Sequence, residues 1–126
     1  MKKYSEEHLW VEVAGDLATV GVTAYAADEL GDITFVELPE VGAVLTAGEA
    51  FCVIESAKAA TDVIAPCRGI VAAVNAKLDD DPALVNSSPE QGGWICRLKE
   101  FSQAEVDVLM GEREYEAFQG KEDDEE

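Results

Sequence analysis

The sequence predicts a mainly β protein, a compact sandwich or barrel of antiparallel sheet with helical additions. Three observations carry that prediction. Short apolar runs rich in β-branched and aromatic residues recur along the chain, glycine and proline punctuate the gaps between them, and helix signals are confined to short stretches, the last of them at the C-terminal end. At 126 residues and 48% hydrophobic composition the chain suits one domain with a modest core.

Taken in order, Leu9 to Val13 and Leu17 to Val22 are two β-prone runs separated by Ala14-Gly15-Asp16, which reads as an opening hairpin with a glycine-containing turn. Thr23 is placed to cap a helix over 24–30, and Gly31 to end it with a left-handed residue. Ile33 to Leu38 reads as a strand, after which Pro39, Gly42 and Gly48 mark a turn-rich segment. Phe51 to Ile54 and Val63 to Ala65 read as a pair of strands flanking a short turn, and Ile70 to Val74 as a further strand. The stretch 75–86, with Asp79-Asp80-Asp81-Pro82, reads as a loop holding one helical turn around Pro82 to Val85, its aspartates serving as turn residues rather than metal ligands. Gly92 to Leu98 reads as the last strand. Ser102-Gln103-Ala104-Glu105 is a capping box that opens a helix bearing Val106, Leu109, Met110, Tyr115 and Phe118 on its apolar side, with Gly111 able to break it in two.

The formal net charge of -18 argues against binding phosphate backbones or anionic lipid, which call for clustered Lys and Arg, and points to protein partners with basic docking faces. The segment 121–126 carries one base against five acids, net -4, and leaves -14 on the rest. It reads as an acidic disordered tail behind a single domain over 1–120. No apolar run approaches the length of a membrane span and the first residues lack the features of an address signal, so the expected location is cytoplasmic. Cys52, Cys67 and Cys96 are an odd number at wide spacings, which predicts reduced core residues rather than disulfides or a zinc site.

Function is best argued from Phe51 to Pro66. Between its two apolar runs stands a lone lysine, Lys58, at what would be a hairpin tip, and Ser56, Ala57, Ala59 and Ala60 leave its amine sterically open to a modifying enzyme that brings an acyl group. Elsewhere the chain lacks a nucleophile elbow, a phosphate loop, a dinucleotide fingerprint and a zinc-helix motif, and its one histidine, His8, beside Leu9 and Trp10, reads as a hydrogen-bonded structural residue. Glu55 and Asp62 flank Lys58 and read as recognition residues rather than a catalytic pair. These observations favour recognition at a modifiable Lys58 over independent catalysis, and leave open a plain protein-interaction domain with an unmodified Lys58.

Glu55-Ser56-Ala57-Lys58-Ala59, preceded by Phe35 to Gly42 and Gly48-Glu49 and followed by Pro66, Gly69, Asn75, Leu78, Pro82 and Leu84-Val85-Asn86, resembles the glycine cleavage system H protein family, and the likeness runs from Tyr4, His8 and Trp10 to Gly93-Trp94 and the closing helix. The resemblance implies a lipoyl/biotinyl-type barrel-sandwich hybrid of two antiparallel sheets with a C-terminal helix. It also implies lipoic acid in amide linkage on Lys58. The implied partners are a glycine decarboxylase that loads an aminomethyl group, a tetrahydrofolate-dependent aminomethyltransferase that removes it, a dihydrolipoyl dehydrogenase that reoxidises the dithiol, and a lipoylating enzyme. Carried over by position, Glu55 and Gly69 would help present the turn to that enzyme, and Asp62 would help hold the loaded arm. The chain departs from the family pattern at Leu9, where a glutamate is usual, and Glu7 would compensate if a strand reached it and so shared a face with Leu9. Ala57 in place of a valine would loosen the turn slightly, and Glu90 in place of an aromatic would alter loop contacts. Leu9 also keeps open a related lipoate-binding protein serving another oxidation pathway or a lipoyl relay, while Ala57 and Ala59, standing where methionines are favoured, weaken the case for a biotin carrier.

Overall fold

Alternating burial builds two antiparallel sheets that share one core. The structure, a computed structural model, describes residues 2–124, with side chains described as far as Gly120. In chain order the elements are β1 Lys2–Tyr4, β2 Leu9–Ala14, β3 Leu17–Val22, α1 Ala24–Leu30, β4 Ile33–Glu37, β5 Val44–Leu45, β6 Ala50–Ser56, β7 Ala60–Ile64, β8 Gly69–Val74, α2 Lys77–Asp80, α3 Leu84–Ser87, β9 Cys96–Lys99, α4 Gln103–Asp107 and α5 Glu112–Asp124. The larger sheet runs β1-β2-β3-β9-β8-β5 and the smaller β4-β6-β7. Leu9, Val11, Val20, Val71 and Leu98 from the first meet Ile33, Val36, Cys52, Ile54 and Val63 from the second in a single buried cluster, which Leu78, Val85 and Val106 of the short helices close.

Local chemistry explains most of the boundaries. Gly15 turns the β2–β3 hairpin at φ 61. The Thr23 hydroxyl accepts from Ala26 N at 3.2 Å and starts α1, and the Ser102 hydroxyl accepts from Glu105 N at 3.3 Å and starts α4. The C-terminal helix is indeed split, into α4 and α5, with Gly111 immediately before the second piece. Of the acidic tail expected to be disordered over 121–126, residues 121–124 have helical backbone as the end of α5, and 125–126 lie outside the described residues.

Leu9 and Trp10 are neighbours on β2 and both are buried, which a sheet with one wet face would not allow. Leu9 enters the shared core, whereas Trp10 joins Tyr4 and Tyr115 in a second cluster with Trp94, Met110 and Phe118 around it. Trp10 lies opposite Gly21 in the ladder, and a Cβ there would come within 2.8 Å of its ring. The Tyr115 hydroxyl is 2.7 Å from His8 Nδ1 and 2.6 Å from Thr23 Oγ1, which ties α5 to the start of β2 and of α1. His8 is thus a structural, hydrogen-bonded residue, as expected.

Several boundaries differ from the sequence expectation. The final strand begins at Cys96 instead of Gly92, because Gly93 N donates to Ser88 O at 2.7 Å and holds 92–94 in a turn against α3. The loop 75–86 contains two short helical segments rather than one, and Asn75 is buried, its Nδ2 donating to Gly92 O at 2.8 Å and Trp94 O at 2.9 Å. Strands β1 and β5 had no signal in the alternation, being only three and two residues long. Strand β2 starts at Leu9, and His8 has φ 66, so the chain bends ahead of Leu9 and the condition under which Glu7 would share its face is not met: Leu9 is buried and Glu7 exposed.

Candidate functional site

The lysine expected at a hairpin tip is at one. Strands β6 and β7 pair as far as Glu55 with Ala60, so the expected strands are both real and longer than their apolar runs. Ala57, Lys58 and Ala59 form the exposed connection. Ser56 organises it: its backbone N donates to Ala59 O at 2.9 Å, and its hydroxyl accepts from Lys58 N at 3.2 Å and Ala59 N at 3.3 Å while lying 3.2 Å from Ala59 O. In the sequence Ser56 stands out only as a small neighbour of Lys58. A serine two residues before the tip is a recognisable side-chain turn signal and shows what was missed. The backbone of Ala57 ties the turn to the chain beyond it, donating to Asp32 O at 3.0 Å, a bond that does not depend on the side chain at this position. Among the described residues the one ion pair is Lys2 with Glu90 at 3.5 Å, so the Lys58 amine stands clear of any carboxylate partner.

Register places the flanking acids on one face. Phe35 lies opposite Glu55, Glu37 opposite Val53, Val53 opposite Asp62 and Glu55 opposite Ala60, and residues directly across a ladder project to the same side. Val36 and Ile54, on the other side, are buried. Glu55 and Asp62 therefore share the outer face of the smaller sheet with Phe35, which is 46% exposed. Asp62 is four residues beyond Lys58, at most about 13 Å along the strand at ~3.3 Å per residue. Glu7 lies elsewhere. It edges a groove of about 310 Å³ whose hairpin wall is Ala65 and Pro66, beyond the end of β7, and whose far wall is Leu109 and Met110.

Gly69 opens β8 in the larger sheet, opposite Leu45. A Cβ there would meet Leu98 at 3.0 Å and Phe101 at 3.3 Å, so close packing accounts for a glycine at this position. Glu90, which stands in the loop after α3, accepts from Ala24 N at 3.0 Å and pairs with Lys2, supplying a polar lock where an aromatic would pack. Cys52, Cys67 and Cys96 are free and buried. Burial, aided by Glu37, pushes the Cys52 thiol up to about 12; burial and Glu105 push Cys67 to about 11; burial and the other two thiols push Cys96 to about 12. All three are protonated, weakly nucleophilic groups at neutral pH, as reduced core cysteines should be.

A family model described as Glycine cleavage H-protein matches residues 2–122. The chain belongs to the glycine cleavage H-protein family. It is 51% identical over 118 residues to the glycine cleavage system H protein of Caulobacter vibrioides, covering 94% of this chain and 98% of that one. It is also 51% identical over 113 residues to a probable glycine cleavage system H protein of Haloarcula marismortui, covering 90% and 89%. A crystal structure of a glycine cleavage system H protein from Mycobacterium marinum superposes with a TM-score of 0.86 at 36% identity, covering 94% of this chain and 96% of that one. The two-sheet, helix-terminated architecture built above is accordingly the H-protein fold, a lipoyl barrel-sandwich, as expected from the motifs around Lys58.

Proposed function

We propose that the chain is the lipoyl-bearing carrier of the glycine cleavage system, with lipoate in amide linkage on Lys58. The observation that carries the reading is the tip itself: an exposed primary amine between two alanines, on a turn fixed by its own serine, in an H-protein chain. The amine loses one proton to become a nucleophile, attacks the lipoyl carboxyl that the lipoylating enzyme presents as an acyl adenylate, and loses its second proton as the amide forms and AMP departs. Lipoate so attached supplies a pair of sulfurs through which an aminomethyl group is carried and two electrons are passed on. The chain contributes position and protection, and no catalysis of its own.

In this reading Glu55, one residue before the turn serine, gives the lipoylating enzyme a charged handle on the outer face, and Gly69, in the other sheet and packed against Leu98 and Phe101, helps present the turn to that enzyme. Asp62 offers a carboxylate to a cationic amine folded back along β7, with Glu7 as a second acceptor at the edge of its groove. The acidic surface suits basic docking faces on glycine decarboxylase, the aminomethyltransferase and dihydrolipoyl dehydrogenase. We place this work in the cytoplasm. Among the described residues no helix is long and apolar enough to cross a membrane.

The test is reconstitution. The lipoylated chain, mixed with glycine decarboxylase, should support exchange of bicarbonate into the glycine carboxyl, and the unmodified chain should not. A lipoylated chain that supports no exchange would favour a lipoate-binding protein of another pathway, the alternative that Leu9 raises. A chain that no lipoylating enzyme modifies would leave a protein-interaction domain.

A further inference from the structure

The hairpin tip is tied to a corner of chain beyond its own turn. Ala57 N donates to Asp32 O at 3.0 Å, and Asp32 is the residue between Gly31, which ends α1, and Ile33, which begins β4. Both neighbours of Asp32 are held by one side chain. Asn86, on α3, donates from Nδ2 to Gly31 O at 2.8 Å and accepts at Oδ1 from Ile33 N at 3.0 Å. A carboxamide is the group that can do both at once, since a carboxylate lacks the donor and an aliphatic side chain lacks both functions.

Gly31 completes the arrangement. Its φ of 76 with ψ of -156 is backbone that a side chain strains against, so the corner can be made here by glycine and not comfortably by another residue. A Cβ added to it would stand 3.5 Å from Lys58 Cε and 3.7 Å from Nζ, which means that the lysine stem lies over this bare backbone.

We propose that Asn86 is a positioning residue for the acyl-accepting lysine: it clamps the corner 31–33, the corner carbonyl of Asp32 holds the amide of Ala57, and the tip is thereby kept in the conformation that offers Lys58 to the lipoylating enzyme. The proposal rests on Lys58 being the lipoylation site. A three-residue exposed connection opens locally at little cost unless something outside its own ladder ties it down. Restricting those openings increases the share of time the amine spends in a conformation from which it can react. None of this requires Asn86 to touch the incoming acyl group, and it stands on α3, outside the hairpin whose turn it serves.

Asn86→Ala, Asn86→Asp and Gly31→Ala, each in the full chain, test it with two readouts. Amide exchange is followed at Ala57, with Val20 in the buried ladder of β3 as an internal control. Steady-state acylation is followed with a purified lipoate ligase, lipoate and ATP, varying the concentration of the chain. For Asn86→Ala the expected result is exchange at Ala57 about tenfold faster with Val20 unchanged, and kcat for acylation lowered about three- to tenfold with KM within about twofold. Asn86→Asp, which keeps the acceptor for Ile33 N, should fall between Asn86→Ala and the unaltered chain. Gly31→Ala should match or exceed Asn86→Ala. Unchanged exchange at Ala57, or a changed KM with unchanged kcat, would overturn the proposal, and so would faster exchange at Val20, because the effect would then be a general loosening. If the unaltered chain is not acylated at Lys58, the carrier reading fails on that result alone, while exchange at Ala57 still decides whether Asn86 holds the tip.

Discussion

Lys58 and Cys52 are nucleophiles six residues apart on one hairpin, yet they meet opposite environments. The lysine is exposed on a turn of small residues with no carboxylate paired to it among the described residues, whereas the thiol, at 4% exposure, is sealed between the sheets with its pKa raised. Strand β6 achieves this by alternation: inward residues Cys52 and Ile54 are buried, outward residues end at Glu55, and Ser56 then breaks the ladder into the tip. The difference teaches how a carrier of a reactive sulfur pair can hold three cysteines of its own. A protonated, buried thiol does not compete in thiol exchange, while the amine proposed for acylation is left open.

The largest effect that would break this comparison comes from the tip. Lys58→Arg should abolish acylation while leaving the thermal unfolding midpoint unchanged, because arginine keeps the charge without offering a primary amine and the side chain makes no core contact. Residual acylation of that variant would show that the tip is not the site. The packed side should behave in the reverse way. Trp10→Ala should cost about 3–5 kcal/mol of stability and Gly21→Ala about 1–3 kcal/mol, the second because a Cβ would enter the Trp10 ring at 2.8 Å. Denaturant titration measures both losses, and variants still folded should be acylated at the normal rate. A Gly21→Ala protein of full stability would mean that the second cluster has slack the geometry denies it.

A smaller effect sharpens the comparison in the loaded state. Asp62→Asn should shorten the lifetime of the isolated loaded carrier by about ten- to a hundredfold, the value of one charge-assisted hydrogen bond, with lipoylation intact. Glu7→Gln should do less, since Glu7 stands past the end of β7. Equal decay in both single variants, the double variant and the unaltered chain would show that the arm is not held there.

The thiols make the packed side of the comparison depend on pH. Their folded pKa values lie above the ordinary 9.0, at about 11 to 12, so the folded chain keeps protons that the unfolded chain releases as pH rises. Their stabilisation is complete below about pH 9 and is lost progressively as the pH climbs through about 11 to 12. The denaturant midpoint should fall between pH 8 and pH 10.5, and by less in a Cys52→Ala variant. An equal fall in both would assign the loss to other groups.

Much of this was legible in the sequence because the signals were local. The β2–β3 hairpin, the α1 caps, the split closing helix and the Lys58 tip each follow from a few adjacent residues whose chemistry acts on their own backbone. What escaped depends on contacts between distant residues. Buried Asn75 looks like any loop asparagine until Gly92 O and Trp94 O are brought to it, and Asn86 looks like a helix-end residue until the corner 31–33 arrives. Glu7 is a different case: its assumed face depended on a strand reaching it, and the positive φ of His8 belongs to the tight turn that joins β1 to β2, where His8 N donates to Ser5 O at 3.0 Å and Ser5 N to Leu9 O at 2.9 Å. At the tip, Ser56 was readable in principle, since its bonds reach only two and three residues ahead.

Whether Lys58 is the one amine this chain offers for acylation is read from a site-resolved map. The purified chain would be incubated to completion with a lipoate ligase, lipoate and ATP, weighed intact and then digested and mapped over Lys2, Lys3, Lys58, Lys77, Lys99 and Lys121. A single lipoyl increment, found wholly on Lys58, is expected. An increment on Lys77 or Lys99, or a second increment anywhere, would contradict it.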